Sequence, residues 1–306
     1  MTDLMTSPPG LRPDGTTAGT VPRTRRYRPG AAATTAMLAP GTVVLLLFAA
    51  APMVALLVTG FSHDSAFTFA NFSKVLHTAV YMRLLVRTLV VALIVTVVSL
   101  AVAWPAAWAL ARYVGPRPRQ LILVLVIVPY VTSQLLLIYG FITLIQSDGP
   151  LMKVLSLVGL DAHSSIMYTP AAAVLMMIYE SIPTGILVMY SAATQVDDSV
   201  LEAARALGAG RAFVLTRVVW PLSVNMLVIG FALTYVQTVG AFAEPGILGG
   251  PSGQLLGNAI EAQLHSGTDR PFAIAMALVL LLCSLVVVGL VSLVLRRTQG
   301  DGRSRR

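Results

Sequence analysis

The residue with the most chemistry to do is Glu180, in the stretch MMIYESIPTG. It lies near the middle of an apolar run, where an ionised carboxylate costs about 2.5 to 3.5 kcal/mol on membrane-insertion scales and therefore faces a cavity or a partner. Flanked by Tyr179 and Ser181 and followed by Pro183, it is placed to coordinate an ammonium group, with the tyrosine face adding a cation–π attraction. Two other roles stay open: a pair with a second membrane subunit, or a protonated carboxyl held between helices. Gln134, Tyr139, Tyr235 and Gln237 lie in other apolar runs, as further candidates for a polar path or as interhelical hydrogen-bonding groups. Glu244, at the outer end of a fifth run, either meets a cation at an entrance or is a solvated loop residue.

The elements that must position these groups are membrane helices. The chain has 306 residues, is 56% hydrophobic and 11% charged, and has a mean hydropathy of +0.80, too apolar for an ordinary soluble globule. Six apolar stretches are long enough to cross about 30 Å of hydrocarbon: 36–60, 86–111, 120–146, 168–192, 222–243 and 272–295. Pro105, Pro129 and Pro183 fall inside spans, as tolerated breaks or as passive kinks. The expected class is an all-α integral membrane protein. Residues 1–35, rich in Pro, Gly, Thr and Arg, read as a disordered basic tail, 36–295 as the six-span domain, and 296–306 as a second basic tail. Arg25-Arg26 has the look of a twin-arginine export signal, but the apolar run after it is long enough to span and no small-residue cleavage site closes it, so an uncleaved tail is expected.

Lysine and arginine counts set the orientation. Of the 21, sixteen fall in the two tails and the 112–119 and 193–221 loops, and five (Lys74, Arg83, Arg87, Lys153 and Arg270) fall on the other side. Positive charge is retained in the cytoplasm, which places both termini there. The net charge of +8 thus belongs to span flanks, and no folded basic module with interleaved aromatics points to nucleic acid. Cys283 is the single cysteine, inside an apolar run, which excludes an internal disulfide framework. The four histidines, His63, His77, His163 and His265, all fall in expected outer loops.

The cytoplasmic stretch 197–221 reads as two short helices, too short and too polar to span. Ser199 and Glu202 form a Ser-x-x-Glu capping box after Asp197-Asp198. Gly208 is placed to end the first helix in a left-handed cap, and a second, from about 211 to 219, leads into Pro221 in the first turn of the fifth span. A compact elbow joined to a span suits the passing of a push from a soluble partner into membrane helices.

Glu202-Ala203-Ala204, three residues, Gly208, nine residues, then Val218-Val219-Trp220-Pro221 resembles the cytoplasmic signature of binding-protein-dependent ABC importer permeases, whose usual ending is Ile-x-Leu-Pro. The resemblance runs from about residue 84 to 264 and is closest to the first permease subunit of spermidine/putrescine importers. It is carried also by RTLVVALIVTVVSLAVAWPAAWALAR, VPYVTSQLLLIYGFI, Tyr168-Thr169-Pro170, GAFAEPGILGG and LGNAIEAQL. Arg87 stands where that family often has Asn, and Ala241 where it has Glu.

The resemblance implies the transmembrane domain of a type I ABC importer, in a bacterial inner membrane, working by alternating access. Glu202 would face an ATPase subunit, Ala203 and Ala204 would permit close approach, and Gly208 would make the turn, with Arg211 and Pro221 in the same coupling segment. The implied partners are two ATPase subunits that bind ATP and magnesium, a second homologous permease, an extracytoplasmic substrate-binding protein and membrane lipid. The implied cargo is a polyamine, with ferric iron or a phosphonate as the alternative. The chain has no P-loop, since its only lysines, Lys74 and Lys153, follow Ser73 and Met152. It also lacks the H-E-x-x-H and G-x-S-x-G constellations. A subunit without a catalytic site, a cofactor or a metal is expected, in contrast to a self-powered secondary transporter.

Overall fold

The computed structural model describes residues 31–63, 66–157, 166–210, 213–267 and 269–300, some of them by backbone alone. Most of the 1–35 and 296–306 tails, Arg211 and His163 lie outside the described residues. The chain divides into two units, 1–52 and 53–306. In the first, the described residues are the opening part of helix α1 (Ala31–Gly60), and the side chains described there are exposed. The helix starts inside the expected tail because Ala31-Ala32-Ala33 favours helix over disorder.

The second unit is built from α2 (Ala70–His77), α3 (Ala79–Arg112), α4 (Pro116–Val131), α5 (Gln134–Ile145), α6 (Pro150–Leu157), α7 (Pro170–Gln195) and α8 (Asp198–Ala206). A π-helix, Val214–Val219, follows, then α9 (Trp220–Val239), α10 (Ala243–Leu248), α11 (Gly250–Gly253), α12 (Leu256–Ser266) and α13 (Arg270–Gly300). A two-stranded antiparallel ribbon pairs Ser62 with Phe67 and His63 with Ala66. Six segments among the described residues are long and apolar enough to cross a membrane: Ala39–Gly60, Ala79–Arg112, Gln134–Val154, Pro170–Gln195, Leu222–Val239 and Arg270–Arg297.

The core lies where α3, α7 and α9 cross. In lipid, close approach of small residues and interhelical hydrogen bonds replace the hydrophobic drive of water. Gly185 of α7 meets α3 so closely that an added Cβ would stand 2.7 Å from the Ala103 Cβ, and at Gly230 of α9 it would stand 2.9 Å from the Met189 Cε. Ser99 Oγ donates to the Ile178 carbonyl of α7 at 3.4 Å. The Thr88 hydroxyl donates to the Leu84 carbonyl and accepts from the Leu256 amide at 2.9 Å, which ties the start of α12 to α3.

Two expectations need correcting. The third span is not one helix over 120–146: it breaks between α4 and α5 at Thr132, which is extended, and Ser133, which is non-helical. Pro129 cannot donate to the ladder, and the Thr132 hydroxyl and amide both turn back to the Val128 carbonyl, closing α4. The second elbow helix is not separate either. Residues 214–219 wind as a π-helix that runs straight into α9, where Pro221 occupies the first turn. A proline ring clashes with the carbonyl four residues back in an α turn, and the wider π turn leading into Pro221 relieves that clash at Arg217.

Candidate functional site

Met177, Glu180 and Ser181 recur at i, i+3 and i+4 on α7, so they share one helix face, and that face forms one wall of a cavity of about 260 Å³. Gln237 and Thr238 at the end of α9 form a second wall. The chain then leaves the helix at Gly240, and α10 returns Glu244 to the cavity from its first turn. The break at Thr132–Ser133 makes Gln134 the first residue of α5 and points it into the same space.

Gln134 Nε2 donates to Glu244 Oε1 at 2.6 Å. Glu244 is only 2% exposed, and its other oxygen, Oε2, is buried without a hydrogen-bond partner among the described residues. Glu180 is half-buried, and its carboxyl is close enough to interact with both Glu244 and Gln134. Two carboxyl groups 64 positions apart in the chain thus face one space, and no Lys, Arg or His among the described residues lines it. Beside it, Tyr130 bonds to Thr184, whose hydroxyl donates to Gln237 Oε1 at 3.4 Å, linking α4, α7 and α9.

Of the residues singled out in the sequence, Glu180, Gln134, Gln237 and Glu244 come together. Tyr179, one position from Glu180, turns to another face of α7 and is exposed. Tyr139 is exposed on α5. Tyr235 is fully buried in the α3–α9 core, stacked on Phe231, and its hydroxyl points to the Leu89 carbonyl at 3.5 Å. None of the three lines the cavity. Glu244 is not a solvated loop residue, because α10 folds it back against the start of α5 and the first half of α7. Ser181, read in the sequence as a neighbour of Glu180, lines the cavity beside it, whereas Met177 was missed; its spacing of three from Glu180 is the signal that finds it.

At the other end of α7 lies the elbow. Asp197 starts it: its Oδ1 accepts from the Ser199 amide at 3.0 Å, and α8 opens at Asp198. This replaces the expected Ser199–Glu202 capping box, because a carboxylate two residues back reaches the free amide first. Hydrogen bonds from the Ser199 backbone and side chain, and then the charge of Arg112, hold the exposed Asp197 carboxyl below the usual carboxylate range. Gly208 has φ of +80° with open space around its Cβ position, and the Ala209 amide bonds to the Ala204 carbonyl five residues back, a Schellman closure.

Glu202 and Ala203 are exposed on α8, and Ala204 is half-buried. Val196, Leu201, Val214 and Val219 form a small buried core with Trp104 and Trp108 of α3 against it. Arg112, the last residue of α3, donates to the Ala193 carbonyl at 2.9 Å and to the Val196 carbonyl, and its guanidinium lies 5.2 Å over the Trp108 ring. In the sequence Arg112 counted only as a loop charge. Among the described residues, no cluster of His, Cys, Asp and Glu is able to hold a metal ion.

Residues 101–300 match the family model described as binding-protein-dependent transport system inner membrane component. The chain is 33% identical over 258 residues to the spermidine/putrescine transport system permease protein PotB of Escherichia coli strain K12, across 82% of this chain and 92% of that one. PotB of Salmonella typhimurium strain SL1344 is also 33% identical over 258 residues, across 82% and 88%. In fold, the chain is similar to a bacterial ABC transporter involved in the import of the acidic polysaccharide alginate, with a TM-score of 0.72 at 19% identity, across 86% of this chain and 95% of that one.

Proposed function

The chain belongs to the binding-protein-dependent transport system inner membrane components, as a multi-pass permease subunit of an ABC importer, and we propose that it carries a small organic cation of the polyamine class. One observation carries the cargo reading: two carboxyl groups, Glu180 and Glu244, face one cavity that no basic side chain lines among the described residues. Carboxylates that share one site repel each other, and positive charge between them relieves that repulsion. An ammonium group supplies N–H donors and positive charge together, whereas a phosphonate would add like charge. The polyamine transport named for the PotB relatives points the same way.

In this reading both termini and segment 197–221 are cytoplasmic, on the side that holds sixteen of the 21 basic residues. Two ATPase subunits seat against the elbows of this chain and of a second permease, close on ATP, and drive the pair between outward- and inward-facing forms. An extracytoplasmic receptor delivers cargo to the cavity. Glu202, Ala203 and Ala204 form the docking face, Gly208 its turn, and Arg211 and Pro221 the exit into the fifth span. This chain holds no nucleotide-binding motif, so hydrolysis occurs on a separate subunit.

The test is ATP-driven uptake into proteoliposomes of the assembled transporter with its receptor, offering spermidine, ferric iron or a phosphonate. Spermidine uptake is expected, and Glu180→Gln and Glu244→Gln should each lower it by about tenfold or more, because removing one partner of a buried charge pair typically costs over 1.4 kcal/mol. Unchanged spermidine kinetics in both variants, or transport of the phosphonate instead, would overturn the cargo reading.

A further inference from the structure

We infer that Arg112 is the positioning residue through which movement of the elbow reaches the cavity, an inference that rests on the proposed docking of segment 197–221 to an ATPase. The last carbonyls of a helix have no partner within it, and α7 stops at Gln195, where Val196 turns extended. Arg112 takes up this loose end by donating to the Ala193 and Val196 carbonyls. Its own ring neighbour, Trp108, sits on the same last turns of α3 and lies against the guanidinium. Asp197, the cap of α8, follows Val196 directly in the chain. One guanidinium therefore ties the end of α3 to the end of α7, one residue before the cap of α8.

The small core of Val196, Leu201, Val214 and Val219 also holds the elbow against α3, but apolar packing is non-directional and lets the elbow slide. Both Arg112 bonds leave one amino group, Nη2, whose N–H directions are fixed in the guanidinium plane, so the contact sets direction as well as distance. From Gln195 to Glu180 is fifteen residues of helix, about 22 Å at 1.5 Å per residue. α7 is one continuous helix from Pro170 to Gln195 with Pro183 inside it, so with its C-terminal turn clamped a push on α8 displaces the Glu180 wall. Unclamped, the last turn of α7 frays and absorbs the push.

The experiment uses the assembled transporter in lipid nanodiscs, with Cys283→Ser to remove the only native thiol and Gln237→Cys to report on the cavity. Two quantities are read: the rate of ATP hydrolysis, and the change that ATP with vanadate produces in the labelling rate of residue 237 by a membrane-impermeant maleimide. Arg112→Ala should keep the ATPase bound and hydrolysing while the nucleotide-dependent labelling change shrinks on the order of tenfold, within the usual range of coupling between sites. Arg112→Lys, which keeps the charge and loses the planar group that fixes the two N–H directions, should fall between. A labelling change as large in Arg112→Ala as in the parent overturns the inference, and so does a parallel fall in hydrolysis and labelling, which marks a merely structural role. If the parent complex carries no ATPase, the docking reading itself fails, a result separable from both.

Discussion

Replacing Gly185 by alanine tests the helix crossing on which the cavity depends. The new Cβ would stand 2.7 Å from the Ala103 Cβ and 3.4 Å from the Leu100 Cδ2, whereas carbon atoms rest about 3.5 to 4.0 Å apart. To restore contact distance, α3 and α7 must separate by about 1 Å. Overpacking of that kind costs about 1 to 3 kcal/mol, and the higher helix propensity of alanine returns at most about 1 kcal/mol, so a net loss of about 1 to 2 kcal/mol is expected. Since α7 also carries Glu180, the separation should disturb transport as well. The assay is the thermal unfolding midpoint of the purified subunit complex in detergent, at one scan rate because such unfolding is irreversible. Deleting the opposing methyl with Ala103→Gly in the same chain should recover most of the loss, giving a coupling of about 1 kcal/mol or more. If Gly185→Ala is neutral, or if Ala103→Gly adds its own penalty without recovery, the close-approach argument is wrong.

Thr88→Val should leave the buried Leu256 amide without its acceptor and cost about 1 to 3 kcal/mol, read as a lowered unfolding midpoint. Gly208→Asp places a side chain at φ of +80° and should weaken ATPase recovery in affinity purification, although the open space around it leaves the subunit folded. Asp197 has its folded pKa lowered from 3.8, so its contribution to the elbow is present above about 3.8 and is lost as pH falls through the lower folded value. Hydrogen exchange of the α8 amides should therefore be faster in Asp197→Asn than in the parent at pH 7, with the difference vanishing at the acid end.

Much of the membrane architecture could be read from residue order because lipid imposes one dominant rule: about 20 apolar residues per span, with positive flanks. The left-handed turn at Gly208 and the placing of Pro221 in the first turn of the fifth span were equally legible, since each depends on a residue type with one strong backbone preference. The break at Thr132–Ser133 was not, because an apolar run with a proline reads the same whether the helix bends or stops. The partnership of Glu180 with Glu244 is tertiary: it exists only because α10 folds back after Gly240. Arg112 was hidden for the same reason, as its partners are backbone carbonyls of a helix 81 to 84 residues away, which no side-chain pattern announces. Tyr179 illustrates the converse, since a neighbour in sequence on a helix is turned about 100° from the residue beside it.

The central claim is that this chain is a translocation subunit powered by a separate ATPase docked on segment 197–221. Its most direct test is mild-detergent affinity purification from the native membrane, with mass-spectrometric identification of the co-purified chains and an uptake assay on the reconstituted material. The account predicts a P-loop ATPase, a second six-span permease and a solute receptor, with uptake that requires ATP. Repeated preparations that transport actively with no ATPase present would contradict it.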